Sequence, residues 1–179
     1  LALVAQTYPS PLTGANTYAD LAYFKAYHTL RLNSYVAYQD SQIEAALVKA
    51  WGYLDMRFKY IGWRQTVDQN TEWPRDGAFN DRQDLVTGIP SQVKDAQCEY
   101  TLRALVGNLI PDPSLDDTGQ VVKKLKEKVG PIETEVEFDV SEGIPLPAYP
   151  YADNLLKQRG LVLNDQPRNG IGHGTTARG

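Results

Sequence analysis

Between two strongly apolar helical patterns lies a long polar segment, Gly62 to Pro90, reading GWRQTVDQNTEWPRDGAFNDRQDLVTGIP. It follows neither a helical nor a strand period. Structureless connections longer than about 12–15 residues are uncommon inside a compact domain and are functional or disordered. Disorder fits poorly, because Trp63, Trp73, Phe79, Leu85 and Ile89 are apolar anchors expected to be buried. The segment therefore predicts an ordered loop pinned onto a helical scaffold, with one face left for a partner.

The flanking patterns supply the scaffold. Thr17 reads as an N-cap, and Leu21, Phe24, Tyr27 or His28, and Leu30 follow at helical spacing, giving a first helix over about 18–30. Asp40 reads as the cap of a second. Ile43, Leu47, Ala50, Leu54, Phe58 and Ile61 form its apolar stripe, which Gly62 ends. Ser91 caps a third helix after Ile89-Pro90. Val93, Ala96, Tyr100 and Ala104 lie on one face of it, and Cys98, Leu102, Leu105 and Leu109 on another. A helix apolar on two faces belongs in the centre of a bundle.

Beyond the linker PDPSLDDTG the period changes. Ile132, Thr134, Val136 and Phe138 alternate with Glu133, Glu135 and Glu137, a strand pattern. If Gly130-Pro131 is a two-residue turn, Lys128 faces Glu133, Lys126 faces Glu135 and Lys124 faces Glu137. Leu125 then meets Val136, and Val129 meets Ile132. Opposite charges and apolar pairs agree on one register, so a β-hairpin is predicted. From Gly143 onward, Pro145, Pro147 and Pro150 predict an extended arm, with room for one or two helical turns over 153–158. The fold class is thus mainly α: a small helical bundle with a long ordered inter-helix loop, a short hairpin and an extended C-terminal arm. The expected division is an N-terminal extended segment (1–16), a bundle (17–110), a linker and hairpin (111–142) and the arm (143–179).

Composition narrows the function. The hydrophobic fraction of 42% and charged fraction of 22% are those of a globular chain, and no window reaches the roughly 18 apolar residues of a membrane span. The start, LALVAQTYPSPLTG, lacks the basic lead of a signal peptide. The single Cys98 excludes an internal disulfide. Two histidines, His28 and His173, and one cysteine make no zinc pattern. Asp76, Asp81 and Asp84 lack the spacing of a calcium loop, and GIGHG lacks the strand and helix of a phosphate loop. No nucleophile elbow or Walker pattern is present. No catalytic, metal or cofactor-binding residue is expected, and the chain is not expected to be an enzyme. A net charge of -4 argues against general nucleic-acid binding. Eleven Tyr and three Trp suit either stacking on single-stranded bases or subunit contacts, and without an interleaved basic groove the contacts are favoured.

The segments TYADLAYFKAY, DSQIEAALVKAWGYLDMRFKYIGWR, DQNTEWPRDGA, GIPSQVKDAQCEYTLRAL and EKVGPIETEVEF, with the triplet Trp73-Pro74-Arg75 as the most specific mark, carry a family resemblance over about 17–138. The chain resembles the head–tail adaptor (connector) proteins of tailed bacteriophages, a group often labelled DnaT-like single-stranded-DNA-binding. The resemblance implies a structural virion protein that forms a homo-oligomeric ring of twelve subunits. The ring would sit between the portal protein and a stopper, neck or tail-tube protein, after assembly in the bacterial host cytoplasm. Packaged double-stranded DNA would pass through its channel without sequence-specific binding, and no membrane is involved. The alternative is a single-stranded-DNA-binding module in phage replication. Candidate subunit or partner contacts are Trp63, Trp73 and Arg75 in the loop, and Leu155, Leu156, Arg159, Leu161 and Leu163 in the arm, which is expected to order only on assembly.

Overall fold

A computed structural model describes residues 2–110, the backbone of strands 122–128 and 133–138, and residues 149–163. Two compact units result: Leu1–Leu109 with Pro147–Asn164, and Ile110–Leu146 with Asp165–Gly179.

In the first unit, α1 (Leu21–Leu30), α2 (Asp40–Arg57), α3 (Ser91–Val106) and α4 (Pro150–Lys157) pack together, with α3 touching the other three. The central place expected for α3 is found: Val93, Ala96, Cys98 and Tyr100 are all fully buried. Phe24, Tyr27, Ile43, Leu47 and Cys98 join in one apolar cluster. Gln97 is buried among them and fully bonded. Its Nε2 donates to the Leu47 carbonyl (2.8 Å) and the Thr17 hydroxyl (2.7 Å), and its Oε1 accepts from the Tyr18 and Ala19 amides (2.9 and 2.8 Å). One amide thus ties α3 to α2 and to the entry of α1, at no desolvation penalty for an unpaired group. His28 is likewise a packing residue. It is buried between the Cys98 carbonyl (3.1 Å) and Asn33 Nδ2 (3.0 Å), and burial holds its imidazole below the usual range.

Three boundaries differ from the periodicity. The N-cap of α1 is Asp20, whose carboxylate accepts from the Tyr23 amide (2.7 Å); the Thr17 hydroxyl instead donates to the Ala19 carbonyl (2.6 Å). At α2 the cap position is Gln39, whose amide donates to the Gln42 side chain (2.8 Å). This helix ends at Arg57, before Phe58 and Ile61. Residues 59–61 leave it to bond the C-terminal segment: the Ile61 amide donates to the Leu161 carbonyl (3.2 Å), and the Leu163 amide to the Lys59 carbonyl (2.8 Å). A non-local pairing overrides the local apolar stripe.

The extended arm is corrected over its described part. Pro150 opens α4 at the first helical position, which its fixed φ suits. Ala152, Asp153 and Leu156 are buried against the bundle. Asp153 accepts from Arg57 (2.7 Å) and from the Tyr100 hydroxyl, so the one carboxylate carried inside is paired. The segment packs against its own chain.

In the second unit, β3 (Val122–Lys128) and β4 (Glu133–Phe138) pair antiparallel. Lys128 is opposite Glu133, Lys126 opposite Glu135, Lys124 opposite Glu137 and Leu125 opposite Val136. This is the register predicted from charge. The Gly130-Pro131 turn, the Val129–Ile132 pair and the linker at 111–119 lie outside the described residues.

Candidate functional site

The loop between α2 and α3 falls into two halves. The first is built around β1 (Trp63–Arg64) and β2 (Arg75–Asp76), paired antiparallel with Trp63 opposite Asp76. The chain enters through Gly62 at φ +68, where a Cβ would collide with the Asp76 and Ala78 backbone. Only glycine permits this approach. Arg75 then staples the half together. Its guanidinium donates to the Ile61 and Gly62 carbonyls (2.7 Å each) and to the Glu72 carboxylate (2.5 Å). Buried Gln69 accepts from the Thr66 amide (3.0 Å) and donates to the Thr71 and Pro74 carbonyls (2.8 and 2.9 Å). The Trp73 indole is 0% exposed and meets the Tyr60 ring edge-on, centroids 5.8 Å apart.

Asp55 ties this half to the helices. Its carboxylate accepts from the Tyr18 hydroxyl (2.6 Å), the Trp51 indole N–H (2.7 Å) and the Glu72 amide (3.1 Å). Burial pushes the Asp55 carboxyl up to about 7, against those three hydrogen bonds, which favour the charged form. Burial, followed by the charge of Asp55, also raises the Tyr18 hydroxyl well above its ordinary value.

The second half opens to solvent. Phe79 and Leu85 face each other in a single antiparallel bridge, and the Val86 amide donates to the Ala78 carbonyl (2.8 Å). Asn80 organises the tip: its Oδ1 accepts from the Arg82 and Asp84 amides (2.9 Å each), and its Nδ2 donates to the Asp84 carboxylate (3.3 Å). This backbone holds apolar groups outward, with Phe79 53% and Leu85 56% exposed. Trp63, at 64% exposure, rests its ring against Gly77, and the Tyr8 ring lies against Gly88. The C-terminal segment reaches this tip. Gly160 sits at φ +60 against Asp81, with no room for a Cβ. There Asn80, Asp81, Arg82, Asp84, Gln158 and Arg159 line one pocket.

The candidate residues therefore separate. Trp73 is interior, and Arg75 is committed to its own loop; neither faces outward as a contact residue. Leu156 and Leu161 are buried in the bundle and Leu155 is partly buried. Trp63, Arg159 and Leu163 are exposed. Phe79 and Leu85, expected as buried anchors, are on the surface too. Sequence reasoning passed over Phe79, Arg82 and Tyr8 as surface features. The available signal was local: Phe79 is followed directly by Asn80, Asp81 and Arg82, a turn that cannot go inside. Among the described residues, no group of three or more His, Cys, Asp or Glu side chains converges, and no helix is long and apolar enough to cross a membrane.

Comparison with known proteins corrects the resemblance drawn from sequence. A family model described as "Putative DnaT-like ssDNA binding protein" matches residues 1–178. No curated protein and no solved structure matches the chain. The match spans the bundle, the loop, the hairpin and nearly all of the C-terminal segment, and it is not to head–tail adaptors. The structural-virion reading is overturned by it. The ring, portal and neck partners and the virion location, which rested on the adaptor resemblance, lose their basis. The chain belongs to the family described as "Putative DnaT-like ssDNA binding protein".

Proposed function

We infer that this chain is a binding module for single-stranded DNA and acts by binding, not by catalysis. The observation that carries the reading is the family match over residues 1–178. Exposed aromatics of the loop and of the N-terminal segment support it. Trp63, Phe79 and Tyr8 are each at least half exposed, on a backbone held by hydrogen bonds and by close contacts at glycine. Stacking of one base on an aromatic ring contributes about 1–3 kcal/mol and tolerates any sequence. Duplex bases are already stacked and paired, so such rings favour a single strand.

The net charge of -4 sets the character of the binding. Attraction to phosphate by overall charge is absent, so affinity rests on stacking and on a few local cations. Salt dependence should then be shallow, because each neutralised phosphate of a single strand contributes only about -0.7 to the slope of log K against log salt. Fluorescence anisotropy with a labelled oligothymidylate and a duplex of equal length, at two salt concentrations, tests this. The expected result is preference for the single strand, with a slope no steeper than about -2. Absence of binding, or equal affinity for the duplex, would overturn the reading.

A further inference from the structure

We propose that Phe79, Arg82 and Arg159 form a subsite for one nucleotide unit, the Phe79 ring taking the base and the two guanidiniums an adjacent phosphate. The proposal rests on the single-stranded-DNA reading and names where and how that strand is held.

The first observation is what the arginines do. Five of those described are engaged within the chain. Arg31 donates to the Tyr27 carbonyl, Arg57 pairs with Asp153, Arg64 donates to the Gln69 carbonyl, Arg75 pairs with Glu72, and Arg103 with Glu99. The side chains of Arg82 and Arg159 bond no described residue, and both line the same pocket. They come from segments far apart in sequence, so their meeting is a product of the fold.

The second observation is how that meeting is enforced. Gly160, next to Arg159, presses its Cα against Asp81, next to Arg82. A Cβ there would lie 2.7 Å from the Asp81 backbone nitrogen, and φ is +60 besides. Any other residue would push the two arginine-bearing segments apart. The pocket's acids are placed differently from its bases. Asp84 receives Asn80 Nδ2 and Asp81 lies against Gly160, and neither carboxylate pairs with Arg82 or Arg159 among the described residues. Two arginines lining one pocket suit the oxygens of a phosphate, which accept guanidinium N–H groups.

The third observation is the neighbour. Phe79 directly precedes Asn80 of the pocket wall, and its ring is 53% exposed on a bridged backbone. An exposed ring next in sequence to a pocket wall that carries two arginines is a combination that suits a single strand: a face for the base and guanidiniums for its backbone.

Fluorescence anisotropy with an oligothymidylate of about 12 nucleotides, within the usual range of site sizes, reads the proposal. The full chain is compared with Phe79→Ala, with the double variant Arg82→Ala/Arg159→Ala and with its Arg→Lys counterpart. Lys49→Ala, on the exposed side of α2, is the control. All changed side chains are on the surface, and circular dichroism confirms equal folding. Phe79→Ala should weaken binding about tenfold with an unchanged salt slope. The double alanine variant should weaken it about tenfold and make the slope shallower by about one, while the lysine pair recovers the slope and part of the affinity. Lys49→Ala should bind as the unmodified chain does. If the unmodified chain binds and the Phe79 and arginine variants bind equally well, the subsite is wrong and the single-stranded-DNA reading stands. If the unmodified chain does not bind, both fall.

Discussion

The two halves of the loop between α2 and α3 are made of similar residues and do opposite things. Residues 65–76 hold a tryptophan, an arginine and polar side chains that are turned inward: Trp73 is buried, Arg75 is stapled to two carbonyls and a carboxylate, and Gln69 is bonded at both ends of its amide. Residues 79–88 also hold an aromatic, an arginine and polar side chains, but Phe79 and Arg82 face out. The difference lies beneath them. The first half rests on Tyr18, which is buried, and Asp55, which is half-buried; both accept from its Glu72 amide. The second half has its own Asn80 turn and the C-terminal segment for support, which fixes the backbone without covering the side chains. Residue type does not decide which half buries its aromatic. The supply of acceptors under the backbone does, because an amide cannot go inside unpaired.

The comparison is broken most strongly at one aromatic from each half, Trp73 and Phe79. Trp73→Ala should destabilise the chain by about 3–5 kcal/mol, the range for truncating a fully buried aromatic. Phe79→Ala should stay within about 1 kcal/mol, since its ring is 53% exposed. Urea unfolding of both variants measures this, and near-equal losses would dissolve the distinction between the halves.

Acidity sharpens it at a smaller scale. The Asp55 carboxyl is raised from its ordinary 3.8 to about 7, so the folded chain holds this proton more tightly than the unfolded chain does. Stability from this group is therefore greatest at low pH, falls as pH rises through about 4–7, and is level above that. His28 works the other way: its imidazole is held below 6.5, and its contribution is lost as pH falls through that value. Asp55→Asn isolates the first effect. Between pH 5 and pH 8 the unmodified chain should lose about 1–2 kcal/mol relative to the variant, a value discounted for the partial exposure of Asp55. A constant difference across that range would show that Asp55 ionises as an ordinary carboxylate.

The parts of this fold that were legible in the sequence were those in which one pattern decides. Alternating Lys and Glu fixed the β3–β4 register, because a slip by one residue would set Leu125 opposite a glutamate and the lysines opposite uncharged residues. Two apolar faces on α3 placed it at the centre of the bundle. The parts that were not legible depend on partners distant in sequence. Phe58 and Ile61 continue the apolar stripe of α2, yet the chain leaves the helix there to meet Leu161–Leu163. The pattern of α4 is masked by Asp153, a charge on its buried face that makes sense only beside Arg57 and Tyr100. The candidate site is the extreme case. Arg82 and Arg159 are ordinary surface arginines in sequence, and only the contact of Gly160 with Asp81 brings them to one pocket. Net charge is silent on such placement, because a total of -4 does not say where individual arginines gather.

The most direct test of this division of labour is amide hydrogen exchange of the full chain, with and without saturating oligothymidylate. Slowed exchange is predicted at residues 79–85 and 158–161, with residues 65–76 unchanged because they are already protected by Asp55, Gln69 and Arg75. Bound DNA that slows exchange in 65–76, or that leaves 79–85 and 158–161 unaltered, would contradict the assignment of the open half as the binding face.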